Sequence, residues 1–200
     1  INYAGVIYTA SGMNSEGIFL ELNSGNYMGF YPERTSIFVT LTSFLQDYPT
    51  IRQMEAAFQS VKVNLSSIIN VADKEVAYSF ECSPEAAKRR APDKNGLMAA
   101  TNHFVDPAWK IPQPADDQKE AWTIKRRDNL LALAEKYKGQ FDIEKMQEVL
   151  DTTIENGGAT DSTDTIYQII AVPGDLTLWL KAPGNFNWQK IDISKLIKNS

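Results

Sequence analysis

Residues 11–25 read "SGMNSEGIFLELNSG", and this stretch decides how the first sheet of the protein begins. The segment "SGMNSEG" is rich in Gly, Asn and Ser, which favour turns. It joins an apolar run at 4–10 to a second run at 17–23, a pattern typical of a β-hairpin. Because side chains alternate along a strand, Asn23 is predicted to share a face with Glu21 and not with the apolar residues.

The hydrophobic pattern of the remaining chain alternates between helical and strand periods. It predicts helices at 35–48, after Thr50, at 118–138 and at 141–154, and strands at 67–72, 75–82, 96–102, 165–172 and 176–181, with an edge strand near 187–194. Helices and strands in this order are typical of an α+β fold, in which helices cover largely antiparallel sheets.

The composition bounds the class of protein. The chain has 200 residues, of which 43% are hydrophobic and 22% charged, so we expect one domain over 1–200. The net charge of −5 argues against a nucleic-acid partner, and the basic clusters 88–90 and 125–127 are too short to change that. No apolar run approaches the roughly 20 residues of a membrane span. A single Cys and a single His make a metal site improbable, and we expect no cofactor. The cellular compartment stays open.

The run "GLMAATNHF" places Asn102 beside His103, the only histidine, at the predicted end of strand 96–102. The residues alone favour a turn, because an Asn side chain often bonds neighbouring backbone. Cys82 lies on the apolar face of the predicted strand 75–82, which favours a core residue over a catalytic thiol.

The predicted helix 118–138 carries a cation within an apolar stripe. Arg126 lies in the middle of the stripe and Arg127 at its flank; the apolar members are Trp122, Leu130, Leu133 and Tyr137. A guanidinium in such a place must reach water or be paired, because its burial is otherwise costly. The alternative is an anchor for a site or for an anionic group of a substrate.

Four segments, in order, resemble the N-terminal-nucleophile amide hydrolases: "SGMNSEGIFLELNSG", "GLMAATNHF", "TIKRRDNLLALAEK" and "TIYQIIAVPGDLTLWLKAPGNFNWQKIDIS". The relevant branch contains choloylglycine hydrolases, penicillin V acylases and the acyl-CoA:6-aminopenicillanate acyltransferases. The resemblance implies a partial four-layer αββα sandwich. It also implies cleavage or transfer of acyl groups at C–N amide bonds by an N-terminal Cys, whose own α-amine serves as base.

By this resemblance, Asn102 and Asn23 line the oxyanion region, and Arg126 is the arginine near the nucleophile, with Arg127 as its rival. Residue 1 is Ile, which cannot be the nucleophile, so we expect the C-terminal portion of such an enzyme. Alone, this portion is predicted to be inactive.

The resemblance also implies partners. The substrate would be a small-molecule acyl amide, and the missing N-terminal segment would complete the site. An exposed sheet edge would favour self-association of the isolated chain. The alternative reading is a non-catalytic α+β binding domain that kept the same scaffold.

Overall fold

The chain folds into two compact units that each contain one antiparallel sheet and its own helices. The structure, a computed structural model, describes residue 1, residues 7–112 and residues 119–198, without the side chains of 119–121 and 198. The first unit comprises Ile1–Pro92 and Asn102–Gln113, and the second comprises Asp93–Thr101 and Pro114–Ser200. The predicted α+β class with largely antiparallel sheets is confirmed.

The sheet of the first unit has five strands in sequence order, and every neighbouring pair is antiparallel. They are β1 (Ser11–Met13), β2 (Phe19–Ser24), β3 (Ser67–Ala72), β4 (Ala77–Cys82) and β5 (Ala87–Arg90). The predictions of β2, β3 and β4 are confirmed to within two residues.

The predicted opening hairpin is confirmed, but its first strand is not where we expected it. Residues 7–10 form no strand, and the rest of the predicted strand 4–10 lies mostly outside the described residues. The strand is instead at 11–13, because Asn14 tightens the turn. Its Oδ1 accepts hydrogen bonds from the backbone N–H groups of Glu16 and Ile18, at 3.1 and 2.9 Å.

Two helices pack on one face of this sheet, as predicted: α1 (Ile37–Asp47) and α2 (Ile51–Ser60). Thr50 caps α2, because its Oγ1 accepts a hydrogen bond from the backbone N–H of Gln53. The core between helices and sheet is aromatic at its centre. The Phe58 ring meets Phe44 edge-on at 4.8 Å and stacks on Phe80 at 4.1 Å, measured between ring centroids.

The opposite face of the same sheet is polar. Strand pairing aligns its side chains in two rows, one being Ser11, Glu21, Asn70, Ser79 and Arg90, the other Asn23, Ile68, Glu81 and Lys88. The predicted placement of Asn23 on the Glu21 face is therefore confirmed. Several members of these rows are fully buried, including Ser79 and Glu81.

The predicted strand 96–102 is wrong. These residues form no strand, and Asn102 lies in a bend. The fifth strand is β5, which the sequence analysis treated only as a basic cluster. A tight turn brings it back onto β4, where Ser83 Oγ accepts hydrogen bonds from the backbone N–H groups of Glu85 and Ala86. Side-chain bonding within the turn thus outweighs the low strand propensity of a basic run.

The second unit contains a three-stranded antiparallel sheet in sequence order, preceded by two helices and followed by one. The elements are α3 (Lys119–Lys136), α4 (Ile143–Asp151), β6 (Gln168–Val172), β7 (Thr177–Ala182), β8 (Phe186–Asp192) and α5 (Ile193–Lys198). All were predicted except α5. Asp142 caps α4, because its Oδ1 accepts a hydrogen bond from the backbone N–H of Lys145 at 2.8 Å.

Helix α3 does not bury the stripe that the sequence analysis assigned to it. Trp122 is 52% exposed. The other apolar members, Leu130, Leu133 and Tyr137, are only partly buried. Among the described side chains of α3, the buried one is Thr123, which forms a polar pair with Thr101. Thr123 Oγ1 donates to Thr101 Oγ1, and Thr101 Oγ1 donates to the carbonyl of Thr123, both at 2.8 Å.

Candidate functional site

Two of the segments that carry the family resemblance contact each other in the first unit. β2 ends at Ser24, directly after Asn23, and the bend that holds Asn102 lies beside it. Asn102 Nδ2 donates a hydrogen bond to the carbonyl oxygen of Ser24 at 3.3 Å. The bond joins residues 78 positions apart in the chain. It therefore differs from the local backbone bond that the turn interpretation of Asn102 assumed.

A second set of contacts seats Phe104 on the same loop. The backbone N–H of Phe104 donates to Asn26 Oδ1 at 2.6 Å. Gly25 faces the Phe104 ring so closely that a Cβ at this position would lie 2.4 Å from Cε1. Glycine at 25 is thus required by close approach of the backbone to the ring, and residues 102–104 are held against 24–26 at two points.

The side chain of Asn23 acts on the carboxyl of Glu21. Burial raises the pKa of Glu21, and hydrogen bonds from Asn70 and Asn23 act in the opposite direction. Asn70 Nδ2 donates to Glu21 Oε2 at 2.8 Å. Asn23 is thus oriented by a neighbouring carboxyl on the polar face of the sheet, at the end of β2 that also holds Ser24.

The loop that follows Phe104 is held by Glu81, whose side chain is fully buried. Its carboxylate accepts hydrogen bonds from the backbone N–H of Val105, the backbone N–H of Asp106 and the indole N–H of Trp109, at 2.8, 3.1 and 2.7 Å. The Trp109 ring in turn lies 5.0 Å from the Phe104 ring, measured between centroids.

Cys82 lies on the other face of the sheet and takes no part in this arrangement. It follows Glu81 in β4, so its side chain points into the apolar core, as predicted. Burial, helped by the charge of Glu81, raises the pKa of the Cys82 thiol to about 12. A thiol with this pKa is protonated at neutral pH and is a poor nucleophile.

Arg126 and Arg127 belong to the second unit, and both are partly buried. Burial lowers the pKa of the Arg126 guanidinium, and the charge of Asp161 acts against this. Asp161 is itself held by Thr163, whose hydroxyl and backbone N–H donate to its Oδ1 at 2.7 and 2.8 Å. Arg127 Nη1 lies 3.6 Å from Asp128 Oδ1.

The described residues contain no cluster of three or more His, Cys, Asp or Glu side chains that could hold a metal ion. In the same part of the chain, no helix combines the length and apolar character needed to cross a membrane. The polar groups of the candidate site are amides and carboxyls. Neutral amide N–H groups can stabilise a developing oxyanion without placing a permanent charge in the site.

Sequence reasoning missed Glu81, Asn26 and the close approach of Gly25 to Phe104. A signal for Glu81 was nevertheless present, because strand alternation places it opposite Phe80 and Cys82, on the same face as Asn23. A carboxylate within an otherwise apolar strand is rarely buried without partners, so its environment could have been anticipated. Asn26 and Gly25 lie in a loop whose sequence has no periodic pattern of hydrophobic residues.

No protein-family sequence profile matches the chain. Solved structures do match it. A cysteine-to-alanine mutant of conjugated bile acid hydrolase from Clostridium perfringens superposes with a TM-score of 0.65 and 13% identity, over 98% of this chain and 75% of that chain. An arginine-to-leucine variant of the same hydrolase gives the same TM-score and identity, over 98% and 76%.

A third match is the Caenorhabditis elegans ortholog of N-acylethanolamine-hydrolyzing acid amidase, with a TM-score of 0.53 and 17% identity over 92% of this chain and 73% of that chain. Identities this low speak for the fold alone. These proteins are N-terminal-nucleophile hydrolases, the group that the sequence motifs resemble. The chain therefore has the fold of the N-terminal-nucleophile amide hydrolases.

Proposed function

We propose that this chain is the C-terminal portion of an enzyme that hydrolyses or transfers the acyl group of a small linear amide. In this proposal, an N-terminal Cys on a segment preceding residue 1 is the nucleophile, and its α-amine takes the thiol proton. The proposal draws on the fold, since the matched structures are a hydrolase of conjugated bile acids and an N-acylethanolamine-hydrolyzing acid amidase.

The observation that carries the proposal is the contact between the two asparagine-bearing motifs. Asn102 is tied to the residue after Asn23 by the hydrogen bond to Ser24, so both asparagines lie at the end of β2. Attack of a thiolate on an amide carbonyl places negative charge on the carbonyl oxygen. The proposed role of Asn102 and Asn23 is to donate N–H groups to that oxygen.

Arg126 is assigned a supporting role in the same proposal. Its partly buried guanidinium lies near Asp161, so it is held by a charge partner within its own unit. A planar, permanently charged group held in this way suits the positioning of a nucleophile or of an anionic substrate group. Comparison of Arg126→Met with Arg127→Met in the assembled enzyme decides between the two arginines.

The central test is Asn102→Ala in the enzyme that carries its nucleophile segment. We expect kcat to fall by roughly 10²–10³-fold, because one oxyanion donor is lost, with little change in the free energy of unfolding. The measurement is steady-state hydrolysis of penicillin V or of a bile-salt amide, together with urea denaturation. An unchanged kcat would return Asn102 to the role of a turn residue.

Asn14→Ala is the matched control. Asn14 also donates through its amide nitrogen to a backbone carbonyl, that of Leu45 at 3.1 Å, and its oxygen holds the β1–β2 turn. Its loss should lower the free energy of unfolding and leave kcat of the remaining folded enzyme unchanged. The two variants thus separate a catalytic amide from a structural one.

Residues 1–200 alone should not hydrolyse either amide. Turnover by this chain that persists after Cys82→Ser and repurification would contradict the proposal. It would favour a nucleophile other than the proposed N-terminal Cys.

Self-association of the isolated chain through an outer strand also stays a prediction.

A further inference from the structure

The buried carboxylate of Glu81 accepts three hydrogen bonds from one loop and lies beside a cation of β5. Oε1 accepts from the backbone N–H of Val105 and lies 3.6 Å from Arg90 Nη1; Oε2 accepts from the backbone N–H of Asp106 and the indole N–H of Trp109. The three hydrogen bonds all come from the loop after Phe104, and the contact with Arg90 is an ion pair from β5.

The chemistry of this arrangement requires an anion. Glu81 is 0% exposed, and a buried carboxylate is stable only when its partners are complete. A glutamine of the same shape would keep one acceptor oxygen but place an NH₂ group where the other oxygen accepts from the loop. Donors would then face donors, and at least one loop hydrogen bond would be lost.

The loop in turn determines where Asn102 lies. Residues 102–106 form neither helix nor strand, so no ladder of backbone hydrogen bonds sets their position. They are held at one side by Ser24 and Asn26 and at the other by Glu81. The Phe104 and Trp109 rings, 5.0 Å apart and tilted by 32°, connect the two sides.

Strand β5 supports the same loop. Lys88 Nζ lies 3.8 Å from Asp106 Oδ1 and 4.6 Å from the centroid of the Trp109 ring. Lys88 and Arg90 are two cations of β5, on the same face of the sheet as Glu81 of β4. Lys88 therefore contacts the loop itself, and Arg90 contacts the carboxylate that holds the loop.

We propose that Glu81 is a positioning residue for Asn102, holding residues 104–109 so that the Asn102 amide is aimed at the oxyanion. The catalytic part of this inference rests on the proposed function. Its structural part concerns loop order and is testable on this chain alone. Glu81 touches no reacting atom and acts only through the loop.

The first experiment measures amide hydrogen exchange of Glu81→Gln in residues 1–200. Exchange of peptides covering 102–110 should rise, because Val105 and Asp106 donate to different oxygens of Glu81 and one of these two N–H groups must lose its acceptor. Asp73→Asn is the matched control: Asp73 also accepts from two backbone N–H groups, those of Glu75 and Val76, in the β3–β4 turn at the other end of β4. It should leave 102–110 protected.

The second experiment measures kcat and KM in the assembled enzyme. We expect Glu81→Gln to lower kcat by up to about 100-fold, the cost of misplacing a catalytic group by roughly 1 Å, with a smaller change in KM. In the Asn102→Ala background, Glu81→Gln should lower kcat little further, because the group it positions is already gone. If the fold-losses of kcat in the two single variants multiplied in the double variant, the two residues would act independently and the proposal would be overturned.

Trp109→Phe keeps the experiment decisive if Glu81→Gln fails to fold. It removes one donor to Glu81 and keeps a ring against Phe104, so a smaller increase in exchange of 102–110 and a smaller loss of kcat are expected. Unchanged exchange and kcat in Trp109→Phe would overturn the inference. A loss of kcat in Asn102→Ala without one in Glu81→Gln would do the same while leaving the proposed function intact.

Discussion

The two faces of the five-stranded sheet are built from the same strands and differ in almost every physical respect. One face packs under α1 and α2 through apolar contacts such as the stack of Phe58 on Phe80. The other carries two rows of amides, hydroxyls and charges, including Asn23 and Glu81. Neighbouring residues of β4 thus serve opposite purposes, because successive side chains point to opposite faces.

The comparison shows how one strand can supply stability and chemistry together. Apolar contacts are non-directional, so the helical face tolerates substitutions of similar volume. Hydrogen-bonded carboxyls and amides are directional and depend on every partner, so the polar face tolerates little change of chemistry. Mutations on the first face should therefore change stability, and mutations on the second should change activity or loop order.

The largest expected effect is on the helical face. Phe58→Ala removes a fully buried ring that contacts both Phe44 and Phe80, so the free energy of unfolding should fall by about 3–5 kcal/mol. Urea denaturation measures this loss. Phe38→Ala, on the exposed side of α1, is the control and should change stability by less than about 1 kcal/mol. Equal losses of stability in the two variants would contradict the assignment of Phe58 to the core and of Phe38 to the surface.

An intermediate effect is expected where the polar face meets the candidate site. Gly25→Ala puts a Cβ in the space of the Phe104 ring, so residues 102–104 must shift, at a cost of about 1–3 kcal/mol in stability. In the assembled enzyme, kcat should fall as well. Adding Phe104→Leu, which has no atom at the Cε1 position, should recover part of the stability. Wild-type stability and kcat in Gly25→Ala would show that the contact is not needed.

The smallest effect is a pH dependence on the polar face. Burial raises the pKa of Glu21 in the folded chain, so over some range the folded state keeps a proton that the unfolded state has released. The free energy of unfolding should therefore fall as pH rises from about 4.3, the ordinary pKa of glutamate, to the raised value. Glu21→Gln should flatten this fall, as measured by urea denaturation at several pH values.

Glu85→Gln provides a control of opposite sign. The hydrogen bond from Arg34 lowers the pKa of the exposed Glu85 carboxyl, so its contribution is present above its ordinary pKa and is lost as pH falls through the lowered value. Its replacement should flatten the curve on the acid side only. A change in Glu21→Gln confined to that same acid range would contradict the assignment.

Most of this architecture was predicted from the sequence, because most elements have hydrophobic residues at a clear helical or strand spacing. α1, α2, α4 and the two hairpins follow apolar spacing, capping residues and turn residues, which act locally. The alternation in β2 correctly placed Asn23 on the face of Glu21. The motif order was also sufficient to point to the fold that the solved structures confirm.

The failures have two physical causes: side-chain bonds within the Ser83 turn, which outweigh strand propensity, and polar contacts between residues far apart in the chain. Residues 96–102 are apolar enough for a strand but pair with none, whereas basic β5 pairs with β4. The loop residues that donate to Glu81 lie 24 or more residues from it in sequence, and Ser24 lies 78 residues from Asn102. Such contacts leave no periodic signal, so the loop that holds the candidate site could not be predicted.

The run Lys88–Arg90 has a consequence for cellular machinery that recognises short basic signals. Receptors for nuclear import and acidic polysaccharides bind basic side chains that are presented together. In β5 they are divided between two faces, since Arg89 pairs with Glu55 at 2.9 Å and lies over the ring of Tyr78, while its neighbours hold the loop. The three adjacent basic residues are therefore presented on two faces of the folded strand, whereas an unfolded chain would present them as one cluster.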